Sequence, residues 1–276
     1  MQQDNIRIKT SQFPNIATRI YGSGTDVLVL IHGFPATGNL WRGIPAFLPD
    51  NFRLIVPDLP GVGDSLPGNE TVSIEDMAGG IVEMLDQLGI KQAIFAGHSM
   101  GGYISLAIAE KWPEKVTGLS LVHSTAKADD EEKIATRRKA IALIEKGGKE
   151  PFIRANVVSL FSPVFKEAHD AIVQQQTAEG MSVPDQTLIA FYNAMINRPD
   201  RTGVLQNATF PVQWIIGEDD KVIPKEKSLQ QSSLSSVSFV SVYNNCGHMS
   251  MLEQVETLAG DLEAFANYCK YGKMEE

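Results

Sequence analysis

Short runs rich in β-branched and apolar residues recur along this chain at 27–31, 53–56, 93–96, 119–122, 212–216 and 238–242. Runs of this length and character are expected of strands buried on both faces of a parallel sheet. Helix-length segments separate most of them. One opens at Ser73, with Asp76 three positions on as a weaker form of the capping box, and stops before Gly89. Another follows Ser99 and ends near Trp112-Pro113. The alternation predicts an α/β fold: an open, mostly parallel sheet with helices on both faces. Two earlier pieces, 6–9 and 17–21, are expected to add an antiparallel edge.

The alternation breaks between about 124 and 209, too long a gap for a loop in a compact domain. Helical patterns at 129–146, 150–160, 164–179 and 186–197 fill it, separated by Gly147-Gly148, Ser162-Pro163 and the stretch from Gly180 to Pro184. Residues 198–201 read as an exit turn. The expected organisation is therefore a core made of 1–124 and 208–276, with an all-helical lid at 125–207 inserted after the sixth strand. Ligands of such sheets bind at the carboxyl edge of the strands, so the lid is expected to sit over that edge.

Composition narrows the partners. A formal net charge of -9 argues against nucleic acid and anionic membrane, and against a polyanionic substrate. Two cysteines, Cys246 and Cys269, are expected to be reduced thiols. The N-terminal residues lack a basic start and apolar stretch, and no apolar run approaches spanning length, so the expected location is cytoplasmic. Oligomeric state is not legible.

The chemistry concentrates in Gly97-His98-Ser99-Met100-Gly101-Gly102, between a strand-like and a helix-like run. A serine on such a turn projects its hydroxyl above the sheet, at a helix N-terminus that favours developing negative charge. It still needs a base, and the base needs an orienting group. His248 follows the last strand in Asn245-Cys246-Gly247-His248-Met249, at the same edge as Ser99, and is the expected base. His98 reads as structural, His32 as local support for a loop, His123 as a pocket residue and His169 as surface. The loop 217–224 offers Glu218, Asp219 and Asp220; residue chemistry alone leaves Asp219 and Asp220 open as the orienting acid. Backbone N–H groups of Met100 and of Phe34, in His32-Gly33-Phe34-Pro35, are the expected oxyanion donors. Candidate pocket walls are Trp41, His123, Phe161, Phe191, Met195, Val222 and Met249. No metal site and no cofactor are expected: the histidines are scattered, and no Lys-Ser or Lys-Thr follows the glycines.

Taken together, His32–Pro35, Asp58-Leu59-Pro60-Gly61-Val62-Gly63-Asp64-Ser65, the serine turn, the loop 217–224 and Gly247-His248 resemble the α/β-hydrolase superfamily over essentially the whole chain. The likeness is greatest to its lid-bearing branch of serine esterases, C–C bond hydrolases and cofactor-free haloperoxidases. The superfamily's pattern places the acid fourth after a glycine, which implies Asp220. It also implies that 58–65 is scaffold and pocket wall. Relatives with an aspartate nucleophile are set aside because Ser99 stands at that position. The expected activity is hydrolysis of a small, fairly apolar carboxylic ester through an acyl-enzyme. Thioester, lactone and C–C hydrolysis and peracid formation are alternatives at the same site. A ligand-sensing protein with little turnover is the alternative of another class.

Overall fold

The computed structural model describes residues 1–68 and 71–272. Its strands are β1 (Gln3–Ile8), β2 (Ile16–Tyr21), β3 (Asp26–Ile31), β4 (Phe52–Pro57), β5 (Ala93–His98), β6 (Val116–Val122), β7 (Val212–Gly217) and β8 (Ser238–Tyr243). They form one sheet in the order β1-β2-β4-β3-β5-β6-β7-β8. Pairing is antiparallel from β1 to β2 and from β2 to β4, and parallel from β4 to β8. The six apolar runs are the six parallel strands, and the two early pieces make the antiparallel edge. The run at 238–242, expected to be buried on both faces, is instead the other edge of the sheet, with Val240 and Val242 exposed, because no strand pairs beyond it among the described residues. Strands β5 and β7 are buried at every residue, as their uninterrupted apolar character requires. Edge strand β1 is mostly exposed. Phe95 and Trp214 are among the largest fully buried side chains, each contributing about 1.5–3 kcal/mol or more by leaving water.

Helix α1 (Ile74–Gln87) begins with a complete capping box. Ser73 Oγ accepts from the Asp76 N–H at 3.0 Å, and the Asp76 carboxylate accepts from the Ser73 N–H at 2.9 Å. Helix α2 (Met100–Lys111) packs on α1 and directly follows β5. The stretch between β6 and β7 is helical, as the pattern predicts: α3 (Glu131–Glu145), α4 (Lys149–Ser159), α5 (Pro163–Ala168), α6 (Asp170–Ser182), α7 (Asp185–Asn197) and α8 (Thr202–Gln206). The single helix expected at 164–179 is two. His169 leaves helical geometry (φ -132°, ψ 45°) with its ring stacked on Phe165 at 4.3 Å, and Asp170 puts a carboxylate in the first turn of the next helix. Helix α8 lies just beyond the exit turn read at 198–201. Helices α9 (Lys225–Ser232) and α10 (Ser250–Glu253) follow β7 and β8, and α11 (Val255–Tyr271) lies against β6. Among the described residues no helix is long and apolar enough to cross a membrane.

Parallel strands deliver their following loops to one edge. Those after β3, β5, β6, β7 and β8 carry Phe34, Ser99, His123, Asp220 and His248. The helical insertion is tied to the same edge at several points. The His248 N–H donates to Leu160 C=O (2.6 Å), Thr37 donates to Glu179 from its N–H (3.1 Å) and its hydroxyl, and Thr187 Oγ1 donates to Gly61 C=O (3.2 Å).

Candidate active site

At Ser99 the chain turns from β5 into α2 through φ 51°, ψ -113°. A non-glycine residue in left-handed backbone costs of order 1–3 kcal/mol, so its surroundings must hold it there. They do so with backbone groups. Ser99 N–H donates to Val122 C=O (2.9 Å), and Ser99 C=O accepts from Gly102 N–H (2.9 Å) and Ser124 Oγ (2.8 Å). Glycine at 97 is required by close approach, since a Cβ there would run into the backbone of Gly101 and Gly102. Ser99 remains 8% exposed, and its Oγ makes no hydrogen bond among the described residues, His248 included.

The loop after β3 lies directly over this serine. A Cβ on Gly33 would fall 3.0 Å from Ser99 Cβ and 2.9 Å from His98 C=O. Phe34 follows, joined to Pro35 by a cis peptide. Neither the Phe34 N–H nor the Met100 N–H, at the start of α2, donates to another described residue. The loop is braced from below. His32 Nε2 accepts from Leu59 N–H (2.9 Å), which leaves Nδ1 as the donor to Gly33 C=O (2.9 Å). Buried Asp58 accepts from Gly38 N–H (2.7 Å), Asp64 N–H (3.0 Å) and Arg19 (2.9 Å).

Asp220 and His248 meet as a buried pair, with Nδ1 donating to Oδ2 at 2.7 Å. The other oxygen, Oδ1, accepts from the N–H groups of Val222 (2.8 Å) and Ile223 (2.9 Å). Burial alone pushes the Asp220 carboxyl up. The charge of His248 and the contacts from His123 and His248 outweigh it and hold the group well below the usual carboxylate range. Asp219 is partly exposed and uses its N–H on Cys246 C=O (2.9 Å).

Two more histidines surround the pair. His123 Nδ1 is 3.3 Å from Asp220 Oδ2, off the line of a good hydrogen bond, while its Nε2 accepts from Ser250 N–H (3.3 Å). His98 Nε2 donates to His248 C=O (2.9 Å), with the two rings 4.9 Å apart. Burial depresses both imidazoles, and the charges of His248 and His123 depress His98 further, so the two are neutral supports. His123, Asp220 and His248 place three ligand atoms within 4.8 Å of one another, although the Asp220–His248 bond already uses two of them.

The proposed walls sit mostly in packed surroundings. Trp41, Phe161, Phe191, Met195 and Met249 are each buried. Phe161 stacks on Phe165, Phe191 borders a small cavity with Pro60 and Pro184, and Val222 borders a cavity of about 340 Å³ between α3 and the Asp220 loop. His123 stands beside the carboxylate, and His169 is exposed.

Sequence reading missed Glu253. Its carboxylate accepts from the N–H groups of Gly247 (3.0 Å), Met249 (3.1 Å) and Ser162 (2.9 Å), clamping the histidine loop to the insertion. Nothing in its local pattern marks it, because the contact that makes it a clamp, Ser162, comes from a distant stretch of the chain.

Known proteins share this arrangement of chain. A family model described as alpha/beta hydrolase fold matches residues 26–255. The chain is similar to the dihydrolipoyllysine-residue acetyltransferase component of the acetoin cleaving system of Pseudomonas putida (27% identical, over 88% of this chain and 64% of that protein). It is also similar to a 2-hydroxy-6-oxononadienedioate/2-hydroxy-6-oxononatrienedioate hydrolase of Burkholderia vietnamiensis (28% identical, over 85% of each chain). Among solved structures, a thermophilic esterase from Thermogutta terrifontis superposes with a TM-score of 0.89 at 25% identity, over 96% of this chain and 99% of that one. The fold, the extent of the family match and these likenesses together establish that the chain belongs to the α/β-hydrolase family of enzymes.

Proposed function

We propose that this protein is a serine hydrolase that cleaves carboxylic esters through an acyl-enzyme on Ser99. The observation that carries the reading is one edge holding a strained serine with 8% of its surface open, a buried Asp220–His248 pair and two backbone donors unused among the described residues. In this mechanism Ser99 Oγ attacks the ester carbonyl while His248 Nε2, the ring nitrogen not bonded to Asp220, takes its proton. The hydrogen bond from Ser99 Oγ to His248 Nε2 that this step needs forms when substrate is in place. Phe34 and Met100 N–H groups receive the oxyanion, supported by the N-terminus of α2. The imidazolium then returns the proton to the leaving alcohol. Water, activated by the same imidazole, releases the acid and restores Ser99.

A fluorophosphonate label and 4-nitrophenyl butyrate test this. The label is expected on Ser99 in peptide mapping, together with multiple turnovers of the ester. The mechanism uses one general base, so any loss of rate on the acid side is expected to have a limiting slope of one. Asp220 contributes nothing to that limb because its carboxyl is held far below the working range. A slope of two, or labelling without turnover, overturns the assignment.

Gly33→Ala tests the oxyanion loop. The new methyl must displace the loop from Ser99 and His98, and the Phe34 N–H moves with it. Losing one oxyanion donor costs about 2.7–4 kcal/mol, so kcat is expected to fall roughly 10²–10³-fold with little change in KM. An unchanged kcat in a folded variant would remove Phe34 from the mechanism.

A further inference from the structure

The chain is acidic overall, yet the insertion holds basic side chains next to the catalytic edge. Lys133 and Arg137 stand one turn apart on α3, on its inward face. Lys133 borders the cavity of about 340 Å³ together with Tyr103, Arg198 and Val222, and its Nζ makes a single long bond, 3.4 Å, to Val222 C=O. Among the described residues it has no carboxylate at ion-pair distance. Burial, and next the charge of Arg137, hold its ammonium below the ordinary lysine value.

Arg137 is only 8% exposed. Its Nε donates to Asp129 Oδ2 (2.6 Å), while both Nη groups lack a hydrogen-bond partner among the described residues. The guanidinium lies 5.5 Å from the Tyr192 ring, and that ring lies 4.5 Å from the ring of Phe34 on the oxyanion loop. Asp129 does not neutralise the group, because it is shared with Arg198 (2.9 Å), whose own guanidinium covers Tyr103 at 3.9 Å. One buried carboxylate thus faces two arginines, with an unpaired lysine alongside. The Arg137 Nη groups stay open to solvent, so this surplus of positive charge leaves free donors that an incoming anion can take up.

Building on the ester-hydrolase reading, we infer that Lys133 and Arg137 form an anion subsite, and that the substrate is an ester whose far end carries a carboxylate. Arg137 offers its two Nη groups to the carboxylate and Lys133 adds a point charge from the Asp220 side. The scissile carbonyl meanwhile lies at Ser99, with Phe34 and Tyr192 bordering the chain between. A single carboxylate enters despite the net charge of -9, because the attraction is local and distant surface charges are screened by salt.

The test uses 4-nitrophenyl esters ending in methyl (hexanoate to octanoate) and their carboxylate-ended counterparts (mono-esters of adipate to suberate). Wild-type protein is expected to favour the carboxylate-ended ester in kcat/KM by tenfold or more for at least one chain length. Lys133→Met and Arg137→Gln are each expected to bring that ratio close to one, mainly through a higher KM for the anionic ester. Lys146→Met, exposed just beyond α3, keeps the ratio. Among the described residues Lys133 makes no ion pair, so its variant carries the test if Arg137→Gln fails to fold. A wild-type ratio near one, with methyl-ended esters still turned over, overturns the anion subsite alone. So does a ratio that survives the Lys133 substitution. Absence of turnover in both series, with no label on Ser99, overturns the hydrolase reading and this inference with it.

Discussion

Ser99→Ala is expected to lower kcat for 4-nitrophenyl butyrate by roughly 10⁴–10⁶-fold, the range found when a nucleophile that works as a unit with its base is removed. KM should change little, because the hydroxyl contributes to bond formation and not to holding the ester. Fluorophosphonate labelling should vanish in the same variant. The protein should remain folded, since Ser99 Oγ has no partner among the described residues and the turn is held by backbone bonds to Val122, Gly102 and Ser124. Circular dichroism and a melting curve separate loss of chemistry from loss of fold. Turnover within tenfold of wild type would exclude Ser99 as nucleophile.

Asp220→Asn is the next largest effect, expected to be about 10⁴-fold in kcat. The reason lies in both carboxylate oxygens. Val222 and Ile223 N–H groups point at Oδ1, so an asparagine must keep its oxygen there and turn its amide NH₂ toward His248. An NH₂ facing Nδ1 forces the imidazole proton onto Nε2, where it blocks acceptance of the serine proton. The overall geometry survives while the tautomer is wrong. Asp219→Asn is the control and should stay within about twofold, since surface substitutions away from special features seldom matter. Equal losses from the two substitutions would show that the acid has been placed at the wrong residue.

Much of the core was legible because its signals are local. Buried parallel strands require unbroken apolar runs, and all six such runs are strands, although the last, β8, lies half-exposed at the sheet edge. Ser73 and Asp76 announce the start of α1 within four residues, and the capping box forms as read. The serine turn was legible for the same reason: Gly97, Ser99 and Gly101 lie within one tight bend, and the clash that excludes side chains arises between near neighbours. Boundaries inside the insertion were harder. The break at His169 depends on a ring stacking on Phe165 and on where Asp170 restarts the helix, and no glycine or proline marks it.

Relations between distant segments were a different matter. Asp219 and Asp220 are chemically the same residue one position apart. Only their placement in the fold makes one a buried partner of His248 and leaves the other partly exposed. Glu253 as a clamp on Ser162, His123 beside the carboxylate, and the Lys133–Arg137 turn of α3 set against Val222 and Tyr192 all arise from stretches brought together by folding. Residue order alone determined the strand and helix series, the parallel sheet and the serine at its carboxyl edge, because short-range sterics and burial decide these. Which acid meets the imidazole, and what sign of charge awaits a substrate, were decided by tertiary packing. Electrostatic energies depend on separation and burial in space, and the spacing of letters along a chain does not encode either.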